Sequence, residues 1–308
     1  MKKLMIALGA VAASAALLTA QAEEAPVQEQ PANSEAEETE MSEEEETPLF
    51  EASLTAEVNS AYVSHNRIFS DTPVAQYDIW MQMNLPENFG WFAVDVWASQ
   101  ELNKRHSSHK SYNNGGKQFG GIGEFDYEIV YGNSIGPVNF TASHLWYTYP
   151  RCTHDFDNKW GSQKFWTVGA EYDNEFVVPS IKFYWEYCHN NKPDDAFMID
   201  FALSRGFDIT EQLSLTLTSK TTLYTSEYAK YISGGELTDT VFGGWDNGVA
   251  LNYAVTDNFS VGAHLNFLYK LDHRVRHCTS WDSYWAGGEN VSTHDGMLYG
   301  GVSASLSF

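Results

Sequence analysis

From Leu49 onward, apolar and polar residues alternate in about a dozen segments. Each is close to the roughly 9 to 11 residues that a tilted strand needs to cross a bilayer. In Ser53 to Val63, Leu54, Ala56, Val58 and Tyr62 oppose Glu57 and Asn59. In Gln76 to Leu85, Tyr77, Ile79, Met81, Met83 and Leu85 oppose Gln76, Asp78, Gln82 and Asn84. Next, Phe92, Val94, Val96 and Ala98 oppose Trp91, Asp95, Trp97 and Ser99, and Phe125, Tyr127, Ile129 and Tyr131 oppose Glu124, Asp126 and Glu128. Successive side chains of a strand point to opposite faces, so the three carboxylates face water while their neighbours face something oily.

The alternation continues through Val138 to Ala142, Trp166 to Tyr172, Ile181 to Tyr187, Phe197 to Leu203, Leu213 to Thr218, Val249 to Tyr253, Phe259 to Phe267 and Met297 to Phe308. That makes twelve strands by this reading, with His144 as the visible polar exception on the oily parity. Connections alternate too. Tight turns follow the even strands at Pro86 to Asn88, Asn133 to Gly136, Asp173 to Glu175, Asp208 to Gln212 and Thr256 to Asn258. Longer loops follow the odd strands at Ser64 to Thr72, Glu101 to Gly121, Pro150 to Gln163, His189 to Asp194, Ser226 to Thr240 and Leu271 to Thr293. Short turns on one side and long loops on the other predict an all-β, antiparallel up-and-down transmembrane barrel of about 12 strands, its short side in the periplasm. A soluble sandwich would hide the apolar parity inside and would not need aromatics such as Phe89, Trp91, Phe176, Tyr253 and Phe259 beside its turns.

Residues 1 to 22 have the form of a secretory signal: Lys2 and Lys3, a short apolar run, and Ala20-Gln21-Ala22 as a small-x-small site. Residues 23 to 48 form an acidic segment with eleven Glu and no Lys or Arg, expected to be a disordered periplasmic tether. The barrel is expected over residues 49 to 308. The net charge of −23 divides as +2, −11 and −14 over these three parts, so the barrel is itself acidic. Nucleic acid is therefore excluded as a partner. The expected partners are outer-membrane lipids and lipopolysaccharide, small solutes, and an assembly machinery that reads the C-terminal strand.

That strand ends Leu306-Ser307-Phe308. An ending on a lipid-facing aromatic resembles the assembly signal of bacterial outer-membrane barrels, which gives Phe308 the role of assembly signal and makes this the strand that closes on Ser53 to Val63. Ser60-Ala61-Tyr62-Val63-Ser64-His65-Asn66-Arg67 resembles the first hairpin of a porin family that carries a Ser-x-Tyr-x-x-Arg-Gly stretch, with His65-Asn66 standing where that family has Arg-Gly. Tyr253 to Val261 is similar to turns of many such barrels. The resemblance implies an outer-membrane pore and names no substrate.

On the water-facing parity the candidate pore-lining residues are Glu57, Asp78, Asp95, Glu124, Asp126, Glu128, Glu171, Glu186 and Asp200, with Lys182 among them and Lys220 and Lys270 nearby. Excess fixed negative charge in a narrow, low-dielectric lumen favours cations, so a cation-preferring diffusion channel is expected. The plain alternative is that acids and bases pair and fill a barrel this small. Trp80, Trp91, Trp97 and Tyr184 share the inner parity and could stack sugars or nucleosides, or only fill space. Cys152, Cys188 and Cys278 each lie near a His (His154, His189, His277) and offer either one disulfide with a thiol left over or a Zn site. The spacing fits no standard finger, and neither a metal nor any cofactor is expected. Two other readings stay open: a non-conducting barrel acting through its loops, and a barrel-embedded lipid hydrolase. For the latter, Ser143 and His144 are adjacent and face opposite ways, so no nucleophile and base pair is evident and the chain is read as not an enzyme.

Overall fold

In a computed structural model, the residues described are 48–86, 89–102, 122–149, 161–187, 196–278, 281–282 and 295–308. The expected signal and the acidic segment up to residue 47 lie outside them, as do Cys152, His154, Cys188 and His189.

Twelve strands close into one antiparallel barrel: β1 (Phe50–Asn59), β4 (Val74–Asn84), β5 (Trp91–Glu101), β6 (Ile122–Ile135), β7 (Val138–Tyr149), β8 (Gly161–Tyr172), β9 (Val178–Glu186), β10 (Phe197–Asp208), β11 (Leu213–Tyr224), β12 (Val241–Thr256), β13 (Phe259–Tyr269) and β14 (Gly296–Ser307). Each pairs with its neighbour in sequence, and β14 returns to β1 with Leu54 opposite Leu306 and Val58 opposite Val302. Beyond the last ladder pair, Phe308 N–H donates to Ala52 O at 2.9 Å and Ala52 N–H to Phe308 O at 3.2 Å. The seam therefore leaves no sheet edge open, which is what lipid demands of a β-structure.

The alternation read from sequence sets which face is which. Leu54, Ile79, Val94, Ile129, Phe140, Val168, Phe183, Leu203, Leu217, Leu251, Leu265 and Val302, one from every barrel strand, are exposed on the outside. Aromatics edge this belt at both ends, with Phe92, Tyr131, Tyr172, Phe207 and Tyr253 toward the short turns and Trp166, Trp185, Phe197, Trp245 and Tyr269 toward the long connections. His144 faces outward as expected, and two cations share that face. Lys164 lies near the loop-side end of β8; Arg205 lies near the turn-side end of β10, its guanidinium 5.3 Å from the Phe207 ring centre. Both can send their charge to the membrane edge along an apolar stem. Arg205 falls beyond the segment read from sequence because β10 runs on to Asp208. Similarly, β6 runs to Ile135 and leaves only Gly136-Pro137 for a turn expected to begin at Asn133, with Gly136 at φ +58.

One expectation fails. The first barrel strand ends at Asn59 and does not reach Val63. The stretch expected to finish it and to form the first outer loop turns inward as a second, two-stranded sheet of β2 (Tyr62–Ser64) and β3 (Arg67–Ser70). Every residue from Ala61 to Ser70 except Phe69 is buried. Ser64 pairs with Arg67 across His65 and Asn66, whose φ values of +49 and +58 are those of a type I′ turn. Two short helices stand among the other long connections, α1 (Ser226–Ile232) and α2 (His273–His277).

Candidate functional site

All ten residues expected to line the pore face the lumen. Glu57, Asp95, Glu124, Asp126, Glu128, Glu186 and Asp200 are buried, and Asp78, Glu171 and Lys182 are half-buried. Their arrangement around the wall is uneven. Strands β1 and β4 to β7 carry no Lys or Arg at all, while β1, β4, β5 and β6 hold Glu57, Asp78, Asp95, Glu124, Asp126 and Glu128. The inward bases Lys182, Lys220 and Lys270 stand on or just after β9, β11 and β13. One sector of the lumen is thus acidic and the facing sector mixed. Asp95 and Glu128 are direct cross-strand partners, a like-charge pairing that costs stability unless other groups neutralise it.

Neutralisation comes from across the wall. Lys182 Nζ lies 3.0 Å from Glu128 Oε1. Ser143 donates a short hydrogen bond to the same carboxylate and lies 2.6 Å from Thr167 Oγ1. Gly169 is cross-strand to both Thr141 and Lys182, and a Cβ on it would sit 2.7 Å from Thr141 Oγ1 and 3.5 Å from Lys182 Cγ. The bare backbone there gives the lysine stem its path. Elsewhere, Glu186 accepts from Gln163 at 3.2 Å, Asp126 from the Thr148 amide at 3.3 Å, and Glu57 lies 3.5 Å from His264.

The hairpin, which alternation could not reveal, binds this wall at several points. Tyr62 donates to Glu124 at 2.8 Å. Its hydroxyl is pushed well above the ordinary tyrosine range by burial and then by the Glu124 charge, so it remains a donor. His65 Nδ1 lies 3.1 Å from Asp200, which also accepts from Thr222 at 2.7 Å and has Lys220 at 3.6 Å. Asn66 accepts from the Thr222 amide at 2.6 Å, and Tyr224 donates a short hydrogen bond to His65 O. Arg67 Nε donates to Trp281 O at 2.8 Å while its guanidinium lies 5.8 Å from the Trp281 ring centre. The Ile68 amide donates to Asp282 at 3.2 Å, and Asp282 is paired in turn with buried Lys270.

Around these polar contacts an apolar core fills the loop-side end. Leu145, Tyr147, Phe165, Tyr184, Met198 and Tyr224 project from the wall onto Tyr228, Ala229 and Ile232 of α1, with Val275, Cys278 and Trp281 from the connection after β13. Burial holds the Tyr228 hydroxyl well above the ordinary range. The gap left between hairpin and wall has room for about one water. The turn-side half differs: Ser53, Thr55, Gln82, Asn139, Thr141, Ser204, Thr216, Asn252 and Ser303 are half-buried and line an open polar vestibule. The four aromatics singled out from sequence on the inner parity divide accordingly. Trp97 and Tyr184 are covered, with Tyr62 5.5 Å from Trp97 and His65 5.1 Å from Tyr184, while Trp80 and Trp91 remain in the vestibule.

On the lipid side, His144 bonds Tyr187 OH, and its ring centre is 4.4 Å from that of Trp166. Ser143 points inward to Glu128 and Thr167. The adjacent pair is therefore split between two faces of the wall, and the rings of Tyr187, Trp146 and Trp166 stand beside His144.

No protein-family model matches the chain, and no curated protein matches it. Among solved structures it is similar to the NanC porin, at 9% identity over 83% of this chain and 98% of that one, with a TM-score of 0.45. It is also similar to outer membrane phospholipase A from Escherichia coli, at 9% identity over 83% and 95% with a TM-score of 0.42. Outer-membrane expressed OmpT of Vibrio cholerae is similar at 10% identity over 84% and 97%, with a TM-score of 0.37. Likeness at this level assigns no activity. The closed, even-stranded barrel with its apolar belt and its short-turn and long-loop ends is that of an outer-membrane protein.

Proposed function

We propose that the protein is a narrow outer-membrane channel that prefers cations and whose conduction is limited by the inward hairpin. The observation that carries this reading is the acidic sector, which runs from the polar vestibule up to the hairpin through Asp78, Asp95, Glu128, Asp126 and Glu124. A low-dielectric wall focuses the field of such groups and raises the local concentration of cations over anions. Reconstituted in a planar bilayer under a potassium chloride gradient, the channel gives a reversal potential of cation-selective sign. An anion-selective sign contradicts the reading.

A second reading, a barrel that does not conduct and acts through its loops, is favoured by the packed loop-side core. Absence of conductance in the wild type and in a variant without the hairpin supports it against the first. Under either reading we assign Phe308 to assembly, supported by its backbone pairing with Ala52 at the closing seam. Phe308→Glu then lowers the fraction of heat-modifiable, folded barrel while leaving secretion intact. An undiminished folded fraction removes that role.

A further inference from the structure

The connection after β13 carries a pair of side chains that neither the lumen nor the hairpin uses. Most of α2 is committed to the barrel. Val275 is buried in the loop-side core, as is Cys278 just beyond the helix. Arg274 bridges Asp272 at 2.6 Å and Asp239 at 2.8 Å, and Arg276 donates to the Tyr269 hydroxyl at 3.3 Å. Asp272 caps the helix through its side chain, and its carbonyl accepts from the Arg276 amide at 3.1 Å. A helix this short does not hold itself in water; these attachments hold it.

His273 and His277 are the exceptions. Both are exposed, and among the described residues neither side chain has a hydrogen bond or an ion pair. Residues four apart are neighbours on one helix face, and here the ring centres lie 5.1 Å apart with planes at 74°. That spacing is the one a shared metal ion requires. With a Zn–N bond of about 2.0 to 2.1 Å, an imidazole places its ring centre about 3.2 Å from the ion, so two at a tetrahedral angle have centres about 5.2 Å apart.

The ligand type selects the ion. Imidazole nitrogen suits Zn²⁺, whereas Mg²⁺ and Ca²⁺ take oxygen. Cys278, next to His277 in sequence, turns into the core and leaves the pair without a thiolate. Among the described residues no third His, Cys, Asp or Glu joins them. The two carboxylates and two guanidiniums around the helix, those of Asp239, Asp272, Arg274 and Arg276, balance in formal charge. We propose that His273 and His277 form an exposed zinc site at the long-connection end of the barrel, in which two imidazoles hold the ion and water fills the open positions. The attachments of α2 fix both β-carbons on one face before the ion arrives, which reduces the ordering cost of binding.

Because the ion needs both rings on one helix face, its binding stabilises α2 by mass action. Amide exchange across His273–His277 tests this, measured at neutral pH on the untagged, full-length barrel in detergent micelles and titrated with zinc sulfate or magnesium sulfate. Zinc slows exchange in the wild type, about tenfold once its concentration reaches about ten times the Kd, and magnesium does not. His273→Ala and His277→Ala each remove the slowing by zinc. Asp272→Ala loosens the helix yet keeps both ligands, so zinc still slows its exchange. Heat-modifiable migration shows that each variant is folded. Slowing by zinc that survives in either alanine variant of the pair places the ion elsewhere and overturns the site, as does equal slowing by magnesium, or no slowing in the folded wild type.

Discussion

Glu128 sits almost without solvent on the lumen wall, opposite another carboxylate, and is held there by Lys182 and Ser143. Removing one partner of a buried pair leaves an uncompensated charge, which costs more than the pair contributes. Lys182→Met is expected to lower barrel stability by about 3 kcal/mol, read from urea unfolding followed by the shift between folded and unfolded gel bands. Adding Glu128→Gln to that variant recovers much of the loss. At the loop-side rim, Asp272 caps α2 by accepting from the Arg274 amide at 2.9 Å. The hydrogen bond from the Arg274 side chain holds its carboxyl below the usual 3.8. A lowered carboxylate value means that the cap is complete above the unfolded value and is lost as pH falls through the folded one. Protection of the amides of His273–His277, taken relative to their intrinsic exchange rates, should therefore be full at neutral pH and fall below about pH 4, and Asp272→Ala should reduce it at neutral pH by about 1 kcal/mol of lost capping while changing little once the carboxyl is protonated. Protection that is flat with pH would contradict the assignment.

The hairpin of β2 and β3 belongs to the next scale. In a barrel strand each outward side chain answers to lipid and each inward one to water, so the register is written in the residue types themselves. That is why eleven strands and the closing seam were legible, and why all ten lumen residues could be placed on one face. A hairpin buried on both faces obeys no such alternation. Tyr62, Val63 and Ile68 are buried, and so are Ser64, His65, Asn66 and Arg67. Tyr62 happens to continue the apolar parity of β1, which lengthened the expected strand by four residues to Val63. The available signal was the turn: Asn66 within His65-Asn66, between Tyr62-Val63 and Ile68-Phe69, is the composition of a two-residue hairpin. Asn66→Ala keeps a β-carbon at positive φ and removes the acceptor of the buried Thr222 amide, so it should destabilise the hairpin by about 2 kcal/mol. Limited proteolysis at residues 61–70 reads this directly, and unchanged resistance would deny Asn66 its place in the hairpin.

At the scale of the whole barrel, one belt and one lumen divide the residues between lipid and water. The belt makes a definite demand. Ile79→Arg, on its outer face, should cost about 2 to 4 kcal/mol if Ile79 lies near the bilayer midplane, whereas a change of similar size on the half-buried vestibule face, Thr216→Arg, should be tolerated. Folding yields into lipid vesicles distinguish the two, and equal yields would contradict the assigned parity. In the proposed channel, the acidic sector supplies the preference for cations while the hairpin and loop-side core narrow the path, and these two features act on different observables. On that reading, charge sets the sign of the reversal potential and the hairpin sets the magnitude of the conductance. The most direct measurement is therefore single-channel recording, under a potassium chloride gradient, of the wild type beside a variant in which residues 61–70 are replaced by a short Gly-Ser link. The account predicts a several-fold larger conductance in the variant, with a cation-selective reversal potential in both proteins. Equal conductances, or an anion-selective potential once the hairpin is gone, would contradict it.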